Sequence, residues 1–334
     1  MLDLVKKIVK SPAVSGREDA VADIICAQMA SLCDEIRRDK LGNLIAFKRG
    51  SAPDGERRKI MLAAHMDEIG FFATFIEESG FIRLAAVGGI NFVAAAYTTV
   101  VFGNGTRGVL VPETGTAAGA LTFDKFYVDI GAKDKKDAER RVKIGDYFVV
   151  EPTVTRLAGR RIAGRPMDDR IGCVALIETA RRVTAPRDDV YYVFTVQEEV
   201  GCRGAKTAAF AIAPDVAIAY DVTGTGDTAG AKPMAVKVGG GAAIKLKDSS
   251  VICHPDLVAA LERTAKAEKI PYQLEILPYG GTDTSSMQMA GSGCVAGCIS
   301  IPTRYIHSGV ELIDLGDVEA CAMLTAAYLE GKGA

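Results

Sequence analysis

The spacing of apolar and polar residues changes twice along the chain. Up to about Leu32, apolar residues recur at helical spacing, and Ser15 to Glu18 have the S-x-x-E form of a capping box at a helix start. Two strand-like segments then predict a hairpin, and the apolar run at 59–64 predicts a short buried strand that ends at His65. These patterns indicate helices packed on a sheet.

From about Phe71 to Ile162, aromatic and β-branched segments alternate with glycine, asparagine and proline turn signals. Only residues 133–141 have a helical pattern in this region. The most apolar stretch, 84–103, is interrupted by glycines and polar residues, which favours strands over a membrane span. The region is therefore predicted to be mostly β.

Beyond residue 165, helical and strand patterns alternate, which is typical of an α/β sheet. The predicted elements are a helix from about Arg170, a strand at 190–196, a helix near Ala205, a strand at 216–220, a helix at 254–269, strands at 272–277 and 295–301, and a helix from about Asp317. Because the amino-terminal elements are of the same kind, we predict a discontinuous α/β domain of residues 1–67 and 165–334. A β-rich domain of residues 68–164 is inserted into it.

Composition narrows the function classes. Charged residues make up 25% of the 334 residues and the net charge is −2, so nothing favours nucleic acid or an acidic membrane surface as a partner. The start of the chain shows no signal-peptide pattern. Eight scattered cysteines without a C-x-x-C pair predict reduced, mostly buried thiols, and we expect a cytoplasmic protein.

Imidazoles and carboxylates occur where the predicted strands end or helices begin. They are His65, Asp168, Glu198 and Glu199, Asp221, and His307. The carboxyl ends of strands in an open α/β sheet share one edge, so these groups are expected to converge there. Nitrogen and oxygen ligands of this kind suit two divalent ions such as zinc or cobalt, bridged by one carboxylate.

Five blocks that follow one another along most of the chain resemble the tetrahedral and glutamyl aminopeptidases, a family of metallopeptidases with two metal ions. The blocks are residues 63–70, 164–172, 195–201, 221–223 and 301–308. The resemblance implies an α/β catalytic domain with a mixed sheet flanked by helices and an inserted β-rich dimerisation domain. It also implies peptide substrates and self-association into dimers and a hollow dodecamer.

The resemblance further implies a role for each site residue. One metal ion would be held by His65, Asp168 and Asp221, and the other by Asp168, Glu199 and His307, with Glu198 as general base, Asp67 orienting His65, and a cis peptide between Asp168 and Asp169. The expected ions are two per subunit, zinc or cobalt, with manganese as a further candidate. A carboxylate two residues from a histidine ligand is well placed to hold its second ring nitrogen.

The expected function is therefore hydrolysis of N-terminal residues from short peptides through a metal-activated bridging water. Two alternatives stay open: a glycosidase, since some relatives carry a cellulase label, and a non-enzymatic assembly protein. Sugar binding is disfavoured because the chain contains no tryptophan. The segment Gly280 to Asp283 fits either a supporting carboxylate or a plain turn and is left outside the predicted site, and His254 is predicted to begin a helix.

Overall fold

The computed structural model describes residues 1–332 of the chain. The helices are α1 (Leu2–Val9), α2 (Asp19–Met29), α3 (Phe92–Ala95), α4 (Lys135–Glu139), α5 (Arg170–Arg182), α6 (Arg203–Ile212), α7 (Pro255–Ala267), α8 (Thr284–Gln288) and α9 (Leu315–Leu329). The strands are β1 (Glu35–Arg38), β2 (Leu44–Lys48), β3 (Lys59–His65), β4 (Gly70–Ile76), β5 (Ile82–Val87), β6 (Thr98–Phe102), β7 (Arg107–Pro112), β8 (Phe126–Asp129), β9 (Tyr147–Val150), β10 (Thr153–Arg156), β11 (Arg161–Arg165), β12 (Asp189–Thr195), β13 (Val216–Thr223), β14 (Ala242–Lys247), β15 (Tyr272–Ile276), β16 (Val295–Pro302) and β17 (Glu311–Asp314).

The largest sheet has eight strands in the order β1-β2-β12-β3-β13-β16-β14-β15. Its central strands β12, β3, β13 and β16 are mutually parallel, whereas β2 joins β12 and β14 joins β16 in antiparallel pairs. The predicted mixed sheet is confirmed. The parallel centre matters for function because the carboxyl ends of four strands then meet at one edge.

Helices cover both faces of this sheet. Ile60 and Leu62 on β3 belong to the core formed with α1, α2, α5, α7 and α9, whereas Met61 and Ala63 pack in the core formed with α6 and α8. Successive side chains of a strand point to opposite faces, so a strand buried on both sides is a continuous apolar run. This explains why 59–64 predicts a buried strand so clearly.

The β-rich segment forms a closed six-stranded barrel in the order β4-β5-β8-β7-β6-β9. Buried rings fill it, with Phe148 5.1 Å from Phe71 and 4.7 Å from Phe102 between ring centroids. The predicted mostly β character is confirmed, although the segment also contains the short helix α3. Strands β10 and β11 lie outside the barrel and form a separate sheet with β17. The exact domain boundaries stay a prediction.

The prediction of a capping box at Ser15 is wrong. Helix α2 begins at Asp19, and the hydroxyl of Ser15 instead donates to Asp67 Oδ2 at 2.6 Å. Glu18 Oε1 accepts the backbone N–H of Gly16 at 2.7 Å and that of Gln197 at 3.1 Å. Both side chains therefore form tertiary contacts with the loops around the candidate site, which outweigh the local capping contacts.

The structure contains elements that the apolar pattern does not reveal, namely β14, β17 and α8. It also places Asp221 inside β13 and not after it, because this strand continues to Thr223. As predicted, His254 begins helix α7, where its side chain accepts the N–H of Asp256 at 3.3 Å. Among the helices of residues 1–332, none has both the length and the apolar character to cross a membrane.

Candidate metal centre

The site lies at the carboxyl edge of the parallel strands. His65 is the last residue of β3 and is paired in register with Thr195, the last residue of β12. Glu198 and Glu199 follow β12, Asp221 lies near the end of β13, and His307 follows β16. Asp168 reaches the same edge from the turn between β11 and α5. The structure thus brings together all the imidazoles and carboxylates of the predicted metal site.

Asp168 lies between the two imidazoles. Its Oδ1 is 3.1 Å from Nε2 of His65, and its Oδ2 is 3.2 Å from Nε2 of His307. The peptide bond between Asp168 and Asp169 is cis, as the resemblance implies. Asp169 caps helix α5 by accepting the N–H of Gly172 at 3.0 Å. One carboxylate oxygen on each imidazole is the arrangement that a bridging ligand requires.

Two groups of side chains share Asp168. His65, Asp168 and Asp221 form the first, and Asp168, Glu199 and His307 form the second, and in each the candidate ligand atoms lie within 4.8 Å of one another. Imidazole nitrogen and carboxylate oxygen are ligands that suit zinc and neighbouring divalent metals. The donor chemistry therefore fits two cations held on either side of one carboxylate.

An unsatisfied atom supports this fit. Oε1 of Glu199 is buried and has no hydrogen-bond partner, although Nε2 of His307 is 3.3 Å away. The same Nε2 is 3.2 Å from Asp168 and can carry only one hydrogen, so it cannot serve both carboxylates. A cation held by all three groups would satisfy each of them.

The electrostatics of the site favour added positive charge. Burial raises the pKa of Asp221 well above its ordinary value, and the charge on Asp168 adds to the shift. Burial also raises the pKa of Glu198, with nearby carboxylates contributing. Burial opposes the charge on His307, but the neighbouring carboxylates of Asp168 and Glu199 outweigh it and raise its pKa to about 11. Crowded carboxylates of this kind are typical of functional sites.

Asp67 supports the site mainly through backbone groups. Nδ1 of His65 is 3.1 Å from the backbone carbonyl of Asp67 and 3.5 Å from its carboxylate. The carboxylate itself accepts the N–H of Glu198 at 3.0 Å and that of Glu199 at 3.2 Å. The residue thus fixes the imidazole with its carbonyl and fixes the two glutamates with its side chain.

Glu311 is a supporting residue that the sequence pattern does not reveal. Its Oε2 accepts the N–H groups of Met167 at 2.5 Å and Asp168 at 3.2 Å, and its Oε1 accepts that of His307 at 3.0 Å. The side chain is 1% exposed, and burial raises its pKa to about 7. The only available signal is its position four residues after His307, in a strand too short to be predicted.

An open cavity of about 690 Å³ lies over these groups. Beyond the candidate ligands and Glu198, its walls include Thr223, Leu277, Tyr279 and Arg304. The guanidinium of Arg304 is paired with Asp227 through contacts of 2.6 and 3.0 Å, so its charge is already balanced. A cavity of this size can hold a small molecule or one end of a peptide.

Comparison with known proteins shows close similarity over nearly the full length. A putative aminopeptidase of Acetivibrio thermocellus is 45% identical over 97% of both chains. The structure of aminopeptidase APDkam598 from Desulfurococcus kamchatkensis is similar with a TM-score of 0.94 and 38% identity, over 98% of this chain and 94% of that one. The TET1 peptidase of Pyrococcus horikoshii, described as assembling into a tetrahedron or a large octahedral shell, has a TM-score of 0.88 and 31% identity over 98% of both chains.

The family model described as M42 glutamyl aminopeptidase matches residues 42–324. This range includes the barrel, the central strands of the sheet and all the candidate ligands. The chain therefore belongs to the M42 glutamyl aminopeptidase family, whose members are peptidases.

Proposed function

We propose that this protein is a metal-dependent aminopeptidase that removes N-terminal residues from short peptides, with Glu198 as general base. One observation carries the proposal. Two groups of candidate metal ligands share Asp168, and the carboxylate of Glu198 lies beside them on the wall of the open cavity. Oε2 of Glu198 is 3.9 Å from Nε2 of His65, close to the first group without belonging to it.

The proposal assigns His65, Asp168 and Asp221 to one ion and Asp168, Glu199 and His307 to the other. When bound, two divalent ions would polarise the scissile carbonyl and lower the pKa of the attacking water toward about 7. Zinc and cobalt suit these nitrogen and oxygen ligands, and manganese is a further candidate.

Glu198 moves the proton in this scheme. Its carboxylate takes a proton from the attacking water and delivers it to the nitrogen of the leaving peptide. Its neighbour Glu199 faces His307, so adjacent glutamates have different tasks. Asp67 holds the backbone of both glutamates, which keeps the base and the ligand at fixed positions relative to His65.

The excess of carboxylates suggests why a free amino end is needed. A protonated α-amine is attracted by the carboxylates, and a neutral α-amine can bind a metal ion through its lone pair. An acetylated amine carries no charge and is a weaker electron-pair donor. Cleavage would then fall one residue from the amino end. The open cavity of about 690 Å³ has room for the first residues of a peptide.

Self-association forms part of the proposal. The P. horikoshii TET1 peptidase is described as assembling into a tetrahedron or a large octahedral shell. In this chain the barrel segment carries exposed apolar side chains, including Tyr97 at 73% and Val93 at 61% exposure. We expect the inserted β-rich domain to form a dimer and the dimers to form a dodecamer whose interior admits short peptides. The cysteines are all free thiols, which agrees with a cytoplasmic enzyme.

The proposal is tested by removing and restoring the metal. Chelation should abolish hydrolysis of aminoacyl chromogenic substrates, and zinc, cobalt or manganese should restore it. An N-acetylated version of the same peptide should not be cleaved. Full activity in rigorously metal-free protein, or equal turnover of the blocked peptide, would contradict the proposal.

The two alternative functions predict different results for the metal-free and the reconstituted protein. A glycosidase would release reducing sugar from cellulose without metal, because paired carboxylates suffice for that reaction. An assembly protein without enzymatic activity would hydrolyse nothing after reconstitution with any of the three metals.

A further inference from the structure

A third group of potential ligands lies beside the proposed metal centre. Carboxylate oxygens of Glu198 and Asp283 and Sγ of Cys202 lie within 4.8 Å of one another. The thiol of Cys202 donates to Oε1 of Glu198 at 3.2 Å. This group shares no residue with the five ligands assigned above.

Local backbone geometry holds the thiol in this position. Cys202 precedes helix α6 and has a left-handed conformation with φ of 50°. Its N–H donates to the carbonyl of Glu198 at 2.9 Å, so the chain turns back on itself and brings the two side chains face to face. A left-handed conformation is uncommon for a residue other than glycine and marks a position held by its surroundings.

Asp283 provides an independent indication of a ligand. The side chain is 2% exposed, and its Oδ2 accepts the hydroxyl of Thr195 at 2.6 Å. Its Oδ1 is buried and has no hydrogen-bond partner. A buried carboxylate oxygen without a partner is costly, and a cation next to it removes that cost.

We propose that Glu198, Cys202 and Asp283 form a third cation site that takes a soft divalent metal, such as cadmium or excess zinc, and that this ion inhibits the enzyme. Thiolate and carboxylate ligands of one zinc ion bond at about 2.3 and 2.0–2.2 Å, so they lie about 3–4 Å apart. The 3.2 Å between Cys202 and Glu198 falls within this range.

Binding of the metal ion releases one proton. The incoming ion displaces the thiol hydrogen of Cys202, which leaves as a proton to solvent, and binds the resulting thiolate together with the two carboxylates. Sulfur selects soft cations, so magnesium should not bind here. Cys202 and Glu198 both line the open cavity, which gives the ion a path from solvent.

Inhibition is expected because Glu198 is both a ligand of the third site and the proposed general base. This part of the inference rests on the proposed function. Once Glu198 binds the third ion, its carboxylate cannot accept a proton from water. The first two ions can remain in place, since none of their ligands is used. Activity should therefore fall at metal concentrations above those that fill the catalytic sites.

The binding test does not depend on activity. Full-length protein is loaded with cobalt and titrated with cadmium, while the ultraviolet thiolate-to-cadmium band is recorded and elemental analysis counts both metals. Wild type and the control Cys26→Ser, a half-buried cysteine in α2, should show the band with cobalt retained. Cys202→Ser and Cys202→Ala should lose it, and Asp283→Asn should weaken cadmium binding about tenfold or more. An unchanged band in both Cys202 variants, with normal circular dichroism spectra, would overturn the site.

The inhibition test compares each variant with its own cadmium-free rate. Half-inhibition should require about tenfold or more cadmium in Cys202→Ser than in wild type or Cys26→Ser, and magnesium should not inhibit any of them. Equal inhibition of all three would overturn the inhibitory role. A cadmium band without inhibition would support the site and contradict Glu198 as general base, so the two proposals fail separately.

Discussion

The carboxylate of Asp67 accepts the backbone N–H of Glu198 at 3.0 Å, although the two residues are 131 positions apart in the sequence. Its second oxygen accepts the N–H of Glu199 at 3.2 Å and the hydroxyl of Ser15 at 2.6 Å. Asp67 is fully buried, so these hydrogen bonds are protected from water. A single side chain thus connects the end of β3 to the loop that carries the proposed base and one proposed ligand.

Replacing Asp67 with Asn should lower activity without unfolding the protein. The amide keeps one acceptor oxygen but places an NH₂ group against a backbone N–H, which displaces the Glu198 loop. Supporting groups of this kind typically cost about 10–100-fold in metal affinity or activity. Steady-state kinetics and metal analysis measure the loss. Ser15→Ala, which keeps both Asp67 oxygens, should lose much less, and a wild-type rate in Asp67→Asn would show that this contact does not position the site.

The second prediction is that replacing Glu311, which contacts only the backbone of the candidate ligands and Met167, weakens metal binding. Glu311→Gln should weaken metal binding about 10–100-fold, because a donating NH₂ group replaces one of the two accepting oxygens. Either the N–H groups of Met167 and Asp168 or that of His307 then lose their acceptor. Equilibrium dialysis against zinc measures the change. Glu319→Gln, a half-buried glutamate of α9 that pairs with Arg160 away from the site, is the matched control. If the affinity for zinc is the same in both variants, Glu311 does not hold the ligands in place.

Replacing Arg170 should lower the stability of the protein. The side chain is completely buried and donates to the carbonyls of Ile8 and Ser11 at 2.9 and 2.8 Å, and to Glu68 at 3.1 Å. Arg170→Met leaves the buried Glu68 without its ion-pair partner and should lower the free energy of unfolding by about 3–5 kcal/mol. Urea denaturation measures this loss.

The control for Arg170 is the exposed pair of Arg107 and Glu151, whose Nε and Oε1 are 2.8 Å apart. Arg107→Met should leave the urea midpoint nearly unchanged, because exposed ion pairs contribute little to stability. Equal midpoints for the two variants would mean that the buried pair does not hold the amino-terminal segment against α5.

Parts of the fold that carry a strong local pattern could be predicted from the sequence. Strand β3 is buried on both faces, so its apolar run is unambiguous. The sequence pattern does not predict strand β14, because the strand follows a run of glycines and contains Lys245, which is buried through its ion pairs with Glu275 and Asp248. Tertiary charge pairing of this kind leaves no local signal in the sequence.

The residues of the candidate site also differ in whether the sequence reveals them. The candidate ligands stand out because each is a polar residue at the end of a strand or the beginning of a helix. Supporting residues do not. Glu311 lies in a short strand and accepts the N–H groups of Met167 and Asp168, which are far from it in the sequence. Ser15 and Glu18 resemble a capping box, and only the fold shows that they contact Asp67 and Gln197.

The most direct test of the account distinguishes two adjacent glutamates. Glu198→Gln keeps the shape of the side chain and all proposed ligands, so metal content should remain while kcat falls about 10²–10⁴-fold. Glu199→Gln should instead lose metal, because a neutral amide is a poorer ligand than a carboxylate, and excess metal should restore part of the activity. Elemental analysis of both variants beside their kcat values gives the answer. Metal lost from Glu198→Gln and retained in Glu199→Gln would contradict the assignment of both residues.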